Sequence, residues 1–232
     1  VMTDSEGRLL KGADPGKEQS YFLYMLKREQ LRQSLFPVGG MSKAQVRALA
    51  MEAGLPVAKK KDSTGICFIG ERRFKAFLQG FLPARPGDIR DPEGNPLGRH
   101  EGLMYYTIGQ RRGLGIGGRG DGRSWFVAGK DLERNVLTVV QGEDHPLLFS
   151  RGAEVGDLTW VGETPGAEGT PLPLSVKLRY RQPDQRAILI YEGGEGRLAF
   201  ETPQRAVTPG QSAVFYRGRE CLGGGVISRA IP

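Results

Sequence analysis

From Gly87 to the end of the chain, short apolar runs alternate with turn residues, and that punctuation restricts most of the molecule to β-structure. Asp91-Pro92-Glu93-Gly94-Asn95-Pro96 has the residues of a hairpin turn. Trp125 to Lys130 and Val136 to Gln141 read as paired strands joined through Asp131–Asn135. Beyond Ser150 six further strands are expected: Asp157 to Val161, Leu174 to Arg181, Arg186 to Glu192, Arg197 to Glu201, Ser212 to Tyr216 and Glu220 to Ile227. Strands this short, each followed by a turn, point to a small closed barrel or sandwich of about eighty residues. Thirty-five glycines and fifteen prolines suit such a turn-rich protein.

Before Gly87 the period is helical. Arg8 to Ala13 reads as a strand end before the turn Asp14-Pro15-Gly16. Phe22, Leu23, Met25, Leu26, Leu31 and Leu35 recur at helical spacing and predict a helix from Lys17 to about Leu35. Ser42, Gln45 and Gly54 bracket a capped helix over Lys43–Ala53. Val57-Ala58 then reads as a short strand, and Arg72 to Phe81 as an amphipathic helix with Phe74, Phe77 and Phe81 on one face. Helix, strand and loop in that order suit the trailing edge of an α/β domain, with a boundary between Phe68 and Pro86.

The 232 residues have 38% hydrophobic and 25% charged content, and no apolar run approaches the roughly 18 residues that span a bilayer. The first residues lack the charged start and apolar core of a signal peptide, so a cytoplasmic location and no membrane partner are expected. Position 1 is Val rather than Met, as in a stretch taken from inside a longer protein or in a chain whose start has been processed. Two distant cysteines and two histidines, His100 and His145, make no metal cluster, so no metal site is expected. A formal charge of +7 favours a polyanionic partner, because clustered Lys and Arg release counterions from phosphates.

Chemistry concentrates in Lys59-Lys60-Lys61-Asp62-Ser63-Thr64-Gly65-Ile66-Cys67-Phe68-Ile69-Gly70. Adjacent lysines favour thiolate and attract phosphate, while Asp, Ser, Thr and Gly shape a turn. Two readings of Cys67 stand side by side: a reactive thiol in an electropositive loop, or a small core residue within the strand Ile66–Ile69. Cys221 reads as core. Gly113, Gly115 and Gly118 match a dinucleotide-binding spacing, but Arg119-Gly120-Asp121-Gly122 cannot continue as a helix. What remains is a basic glycine loop, either approaching phosphates or merely mobile. Lys177-Leu178-Arg179-Tyr180-Arg181-Gln182 alternates cations with an apolar and an aromatic residue, as a strand laid against phosphates would, or as an ordinary solvated face.

Three blocks go further. Lys60–Gly70, Gly102-Leu103-Met104-Tyr105-Tyr106-Thr107-Ile108-Gly109-Gln110-Arg111 with Gly113–Gly118, and Thr208–Tyr216 with Cys221-Leu222-Gly223-Gly224-Gly225 together resemble the bacterial tRNA-specific 2-thiouridylase family. The resemblance runs in order over nearly the whole chain. It implies an α/β tail of an adenylating domain at 1–70 including the cysteine loop, a small mostly-β central domain at 71–149, and a tRNA-binding C-terminal β-barrel at 150–232.

The implied activity is sulfur transfer to C2 of the anticodon wobble uridine of tRNA, activated by ATP, with magnesium expected for ATP use. A sulfur-donor protein, either a cysteine desulfurase or a sulfur-relay carrier, is the implied second partner. In the family two cysteines act, and Cys67 matches the one that carries the persulfide. Lys17-Glu18-Gln19, Arg179-Tyr180 and Gln211 match tRNA-contacting positions, with Glu18 the variable middle member of its triplet. The family's ATP-gripping Ser/Gly/Asp loop and its first cysteine have no match in these residues, so the stretch by itself is expected to be inactive. A stand-alone RNA-binding module without catalysis is the alternative.

Overall fold

The computed structural model describes residues 1–60, 81, 83–118 and 120–232. The Cys67 loop and, Phe81 aside, the helix expected over Arg72–Phe81 lie outside the described residues. Two compact units are present: Val1–Lys60 with Arg151–Gln204 and Thr208–Pro232, and Lys61–Ser150 with Arg205–Val207.

In chain order the strands are β1 (Met2–Thr3), β2 (Leu9–Leu10), β3 (Gly87–Arg90), β4 (Pro96–His100), β5 (Trp125–Asp131) and β6 (Val136–Gln141). They continue as β7 (Phe149–Trp160), β8 (Leu172–Lys177), β9 (Gln185–Glu192), β10 (Glu195–Arg205), β11 (Ser212–Arg217) and β12 (Glu220–Ile231). Among the described residues two helices, α1 (Arg28–Arg32) and α2 (Lys43–Glu52), precede β3.

In the first unit, strands β7 to β12 close on themselves in the order β12-β11-β8-β9-β10-β7, with β7 pairing back to β12. Alternation drives this closure: in β9 Ala187, Leu189 and Tyr191 turn inward while Ile188 and Ile190 face solvent. Leu189 pairs with both Leu198 and Leu172, so apolar side chains meet across successive strands. At the seam the glycine run of β12 is a packing requirement. A Cβ on Gly223 would stand 2.1 Å from the Thr159 carbonyl oxygen, and one on Gly224 2.5 Å from that of Ala213. The Cys-Leu-Gly-Gly-Gly block therefore marks where two backbones meet.

The N-terminal residues belong to the same unit. The β1–β2 hairpin extends the sheet through Leu10 opposite Glu220 and Leu9 opposite Cys221. Leu9, Tyr21, Tyr24 and Leu31 join Val161, Val214, Tyr216 and Cys221 in one buried cluster. Each of the fully covered leucines contributes about 1.5–3 kcal/mol by leaving water.

The helix expected over Lys17–Leu35 is broken in two. A single 3-10 turn at Ser20–Phe22 is followed by an extended Lys27 and the short α1. The break has a physical cause: the Glu18 carboxylate accepts the Ser20 N–H at 2.6 Å, and the Lys27 N–H donates to the Gln30 side chain at 2.8 Å. These local bonds compete with the helical ladder while Tyr21, Tyr24 and Leu31 reach the barrel. By contrast α2 matches its sequence signals, with the Ser42 hydroxyl accepting from Gln45 and Gly54 at φ +66 just past its end. Its first N–H, from Lys43, donates to Asp14 at 2.8 Å, and that bond holds the Asp14 carboxyl below its usual range. The strand expected at Val57-Ala58 is a turn, with Ala58 bonded to Leu55 and Lys60 to Val57.

The second unit is a four-stranded sheet in the order β4-β3-β6-β5, with β3 and β6 parallel. The hairpin expected at Asp91–Pro96 joins β3 to β4, closed by Asn95 donating to Asp91. Ile89, Leu103, Tyr106, Leu114, Ile116, Val127, Leu137 and Val139 form its core. The glycine loop is thus anchored by Leu114 and Ile116, and no helix follows it among the described residues.

Candidate nucleic-acid interface

In the first unit the sequence-distant candidates converge. Lys17 and Gln19 are exposed, whereas Glu18 between them is only 5% exposed. The remaining Glu18 oxygen faces Lys177 Nζ at 3.8 Å, beyond hydrogen-bond length but within ion-pair reach. Lys177 also lies 4.0 Å from Asp184, which Lys11 engages on its other oxygen. Between these groups sits the fully buried Tyr216, its hydroxyl 3.1 Å from Ser20 Oγ and its ring 4.0 Å beneath Lys11 Nζ. Two lysines and two carboxylates thus fix the turn that presents Lys17 and Gln19.

Arg179 and Tyr180 lie in the bend after β8, which ends at Lys177, and not on the strand expected there. The bend is held by Leu178 N–H donating to the Gln182 side chain at 2.9 Å and by Gln182 N–H donating to the Arg179 carbonyl. Arg179 donates to Thr208 Oγ1 at 3.3 Å. The Tyr180 ring lies 4.6 Å from Phe22 and 6.3 Å from Tyr21. Tyr21 in turn donates to the Ser212 carbonyl at 2.9 Å, beside the exposed Gln211. Burial pushes the Tyr21 hydroxyl up to about 12, with Tyr24 adding to the rise and the Arg179 cation opposing it.

In the first unit Lys17, Gln19 and Gln211 are exposed, Arg179 is half-buried, and Phe22 and Tyr180 form a ring pair. Cations fit phosphates and open rings fit bases, which is the chemistry of single-stranded RNA contact. Phe22 was assigned by its spacing to a helix face, yet it is 58% exposed against Tyr180. Its aromatic neighbour lies far along the chain, so spacing alone carried no signal of this role. Lys177 was legible only as one cation in a run; its burial against Glu18 was not.

Cys221 is a free, buried thiol, and burial pushes it up to about 12 against the opposing hydrogen bond from the Gly223 backbone. It is expected to resist iodoacetamide at about pH 8 in the folded chain and to react after denaturation, read by peptide mass mapping. Labelling in the folded state would show that the barrel seam opens. Among the described residues no group of three or more His, Cys, Asp or Glu is placed to hold a metal ion.

Three family models match the chain in succession: the tRNA methyl transferase HUP domain over residues 1–71, the tRNA methyl transferase PRC-barrel domain over 75–141, and the aminomethyltransferase β-barrel domain over 150–227. That string of domains defines a class of protein built from a HUP portion, a PRC-barrel-like unit and a closed β-barrel. The chain is 61% identical to the tRNA-specific 2-thiouridylase MnmA of Methylococcus capsulatus, over 97% of this chain and 62% of that protein. It is 53% identical to the protein of that name from Alkaliphilus oremlandii, over 99% of this chain and 63% of the relative. For the Stutzerimonas stutzeri protein the identity is 57%, over 99% and 61%. The chain belongs to the tRNA-specific 2-thiouridylase family and spans about three fifths of the length of these relatives. No helix among the described residues is long and apolar enough to cross a membrane.

Proposed function

We propose that this chain is the sulfur-bearing and tRNA-holding portion of an enzyme that converts the wobble uridine of tRNA to 2-thiouridine. The supporting observation is the convergence of Lys17, Gln19, Arg179, Tyr180 and Gln211 on one unit, in a chain 61% identical to a 2-thiouridylase. In this reading these five residues hold the anticodon stem-loop, and Glu18 acts from beneath by fixing the turn against Lys177. Cys67 carries the persulfide, loaded by a cysteine desulfurase or sulfur-relay protein, and Lys59, Lys60 and Lys61 favour its anionic form. ATP supplies the activation of the uridine and magnesium assists its use. The chemistry takes place in the cytoplasm.

Fluorescence anisotropy with a labelled anticodon stem-loop tests the holding role. Binding is expected to weaken as salt rises, and Arg179→Ala to lower affinity by about tenfold. Salt-independent binding, or an Arg179→Ala variant that binds like the parent, would remove this surface from the reading. An RNA-binding module without catalysis is separated by assaying a protein of the relatives' full length: 2-thiouridine formation that stops in Cys67→Ser supports the enzyme, and its persistence excludes Cys67.

A further inference from the structure

We propose that the loop Gly113–Gly118 of the second unit is a seat for a backbone phosphate of RNA, with Arg111 as its cation. This rests on the reading that the chain binds RNA, and adds a site that the barrel-borne candidates do not include.

Leu114 and Ile116 are 6% and 3% exposed, so alternate residues of the loop are pinned into the core. The glycines between and after them lie on the other side. Nothing stands within 4 Å of a Cβ built on Gly115, Gly117 or Gly118, and the loop opens on a cavity of about 360 Å³. Gly113, Gly115 and Gly118 have φ of 79°, 68° and 77°, a backbone course that side chains disfavour. Among the described residues none accepts a hydrogen bond from the backbone N–H groups of 115–118. Consecutive amides left open on a glycine surface are the usual ingredients of an anion seat.

Among the described residues the charged side chains lining this cavity are Arg111 and Arg123. Arg123 is committed to Asp121, with two nitrogens at 2.7 Å, while Arg111 is exposed and has no ion-pair partner among the described residues. Trp125 supplies a wall on which a neighbouring base can lie. Because no carboxylate among the described residues lines the cavity to grip ribose hydroxyls, the contacts are of the sequence-independent kind that suit a phosphate within an RNA chain.

The test uses the 232-residue chain and the labelled anticodon stem-loop between about 50 and about 200 mM salt. Gly117→Leu fills the cavity at a position with open space and no positive φ, so its melting temperature should match the parent's. Arg111→Gln removes the cation. Each is expected to weaken RNA binding about tenfold, and Arg111→Gln to lower the slope of log K against log salt by about 0.7–0.9. If both bind like the parent while Arg179→Ala weakens, the loop seat is wrong and the barrel surface stands. If Arg179→Ala also binds like the parent, both readings fall. Tight capture of free uridine 5′-monophosphate, lost in Gly117→Leu with RNA binding unchanged, would overturn the seat in favour of a nucleotide pocket.

Discussion

Gly223→Ala is expected to destabilise the first unit by about 3–5 kcal/mol, combining overpacking with strain at a left-handed backbone position. Gly223 has φ 149°, and its added Cβ would lie 2.1 Å from the Thr159 carbonyl oxygen and 2.9 Å from the Trp160 Cα. Both obstacles are backbone, so neither can rotate away. They belong to β7, which pairs Trp160 with Gly223 and thereby closes the barrel. Relief therefore requires the seam to part, which exposes buried neighbours such as Cys221 and Val161. Urea denaturation should show a midpoint shifted far down, and Cys221 should become alkylatable in native buffer. Gly40→Ala is the matched comparison: it has open space around the new Cβ and should change stability by less than about 0.5 kcal/mol. Equal midpoints for the two variants would mean that the glycine run is not the closing seam.

Lys177→Ala is expected to remove about 3 kcal/mol, because it leaves a buried carboxylate without its cation. The Glu18 side chain is 4% exposed and that of Lys177 12%, so water screens the pair poorly. After the substitution one Glu18 oxygen keeps the Ser20 N–H, and the other, buried and without a hydrogen-bond donor among the described residues, loses the cation near it. Neutralising the carboxylate should repair the damage, so the double variant Lys177→Ala with Glu18→Gln should recover most of the lost stability. Thermal melts of the single and double variants decide this. A double variant no more stable than Lys177→Ala would show that Lys177 acts through Asp184 or Tyr216 instead. RNA binding should recover along with stability if Lys177 only positions the Lys17–Gln19 turn.

Several elements were legible because their causes are local. The cap of α2 needs only Ser42, Gln45 and Gly54, all within reach of one helix. The Asp91–Pro96 hairpin closes on its own side chains. Barrel strands announce themselves by alternation, as β9 does. Where the structure departs from the spacing, local side-chain bonds act together with distant partners. The Lys17–Leu35 helix gives way because Tyr21, Tyr24 and Leu31 find better burial against β11 and β12 than a continuous helix would offer. Arg179 and Tyr180 leave the strand because Gln182 folds back on Leu178 and Arg179 meets Thr208. The resemblance groups Lys17, Glu18 and Gln19 as one contacting triplet, but the turn points Glu18 inward and its neighbours outward.

By itself the sequence determined the β class of the chain beyond Gly87, the capped helix, the core character of Cys221 and the motif blocks that carry the family. Those features depend on residue type, short-range spacing and backbone permissiveness. Only the tertiary structure decided that residues 1–60 pack with the barrel, that Glu18 is a support for its neighbours, and that Phe22 and Tyr180 share a surface. Each of these rests on partners more than a hundred positions apart, whose meeting is set by which apolar faces bury best together, and no local pattern encodes that choice.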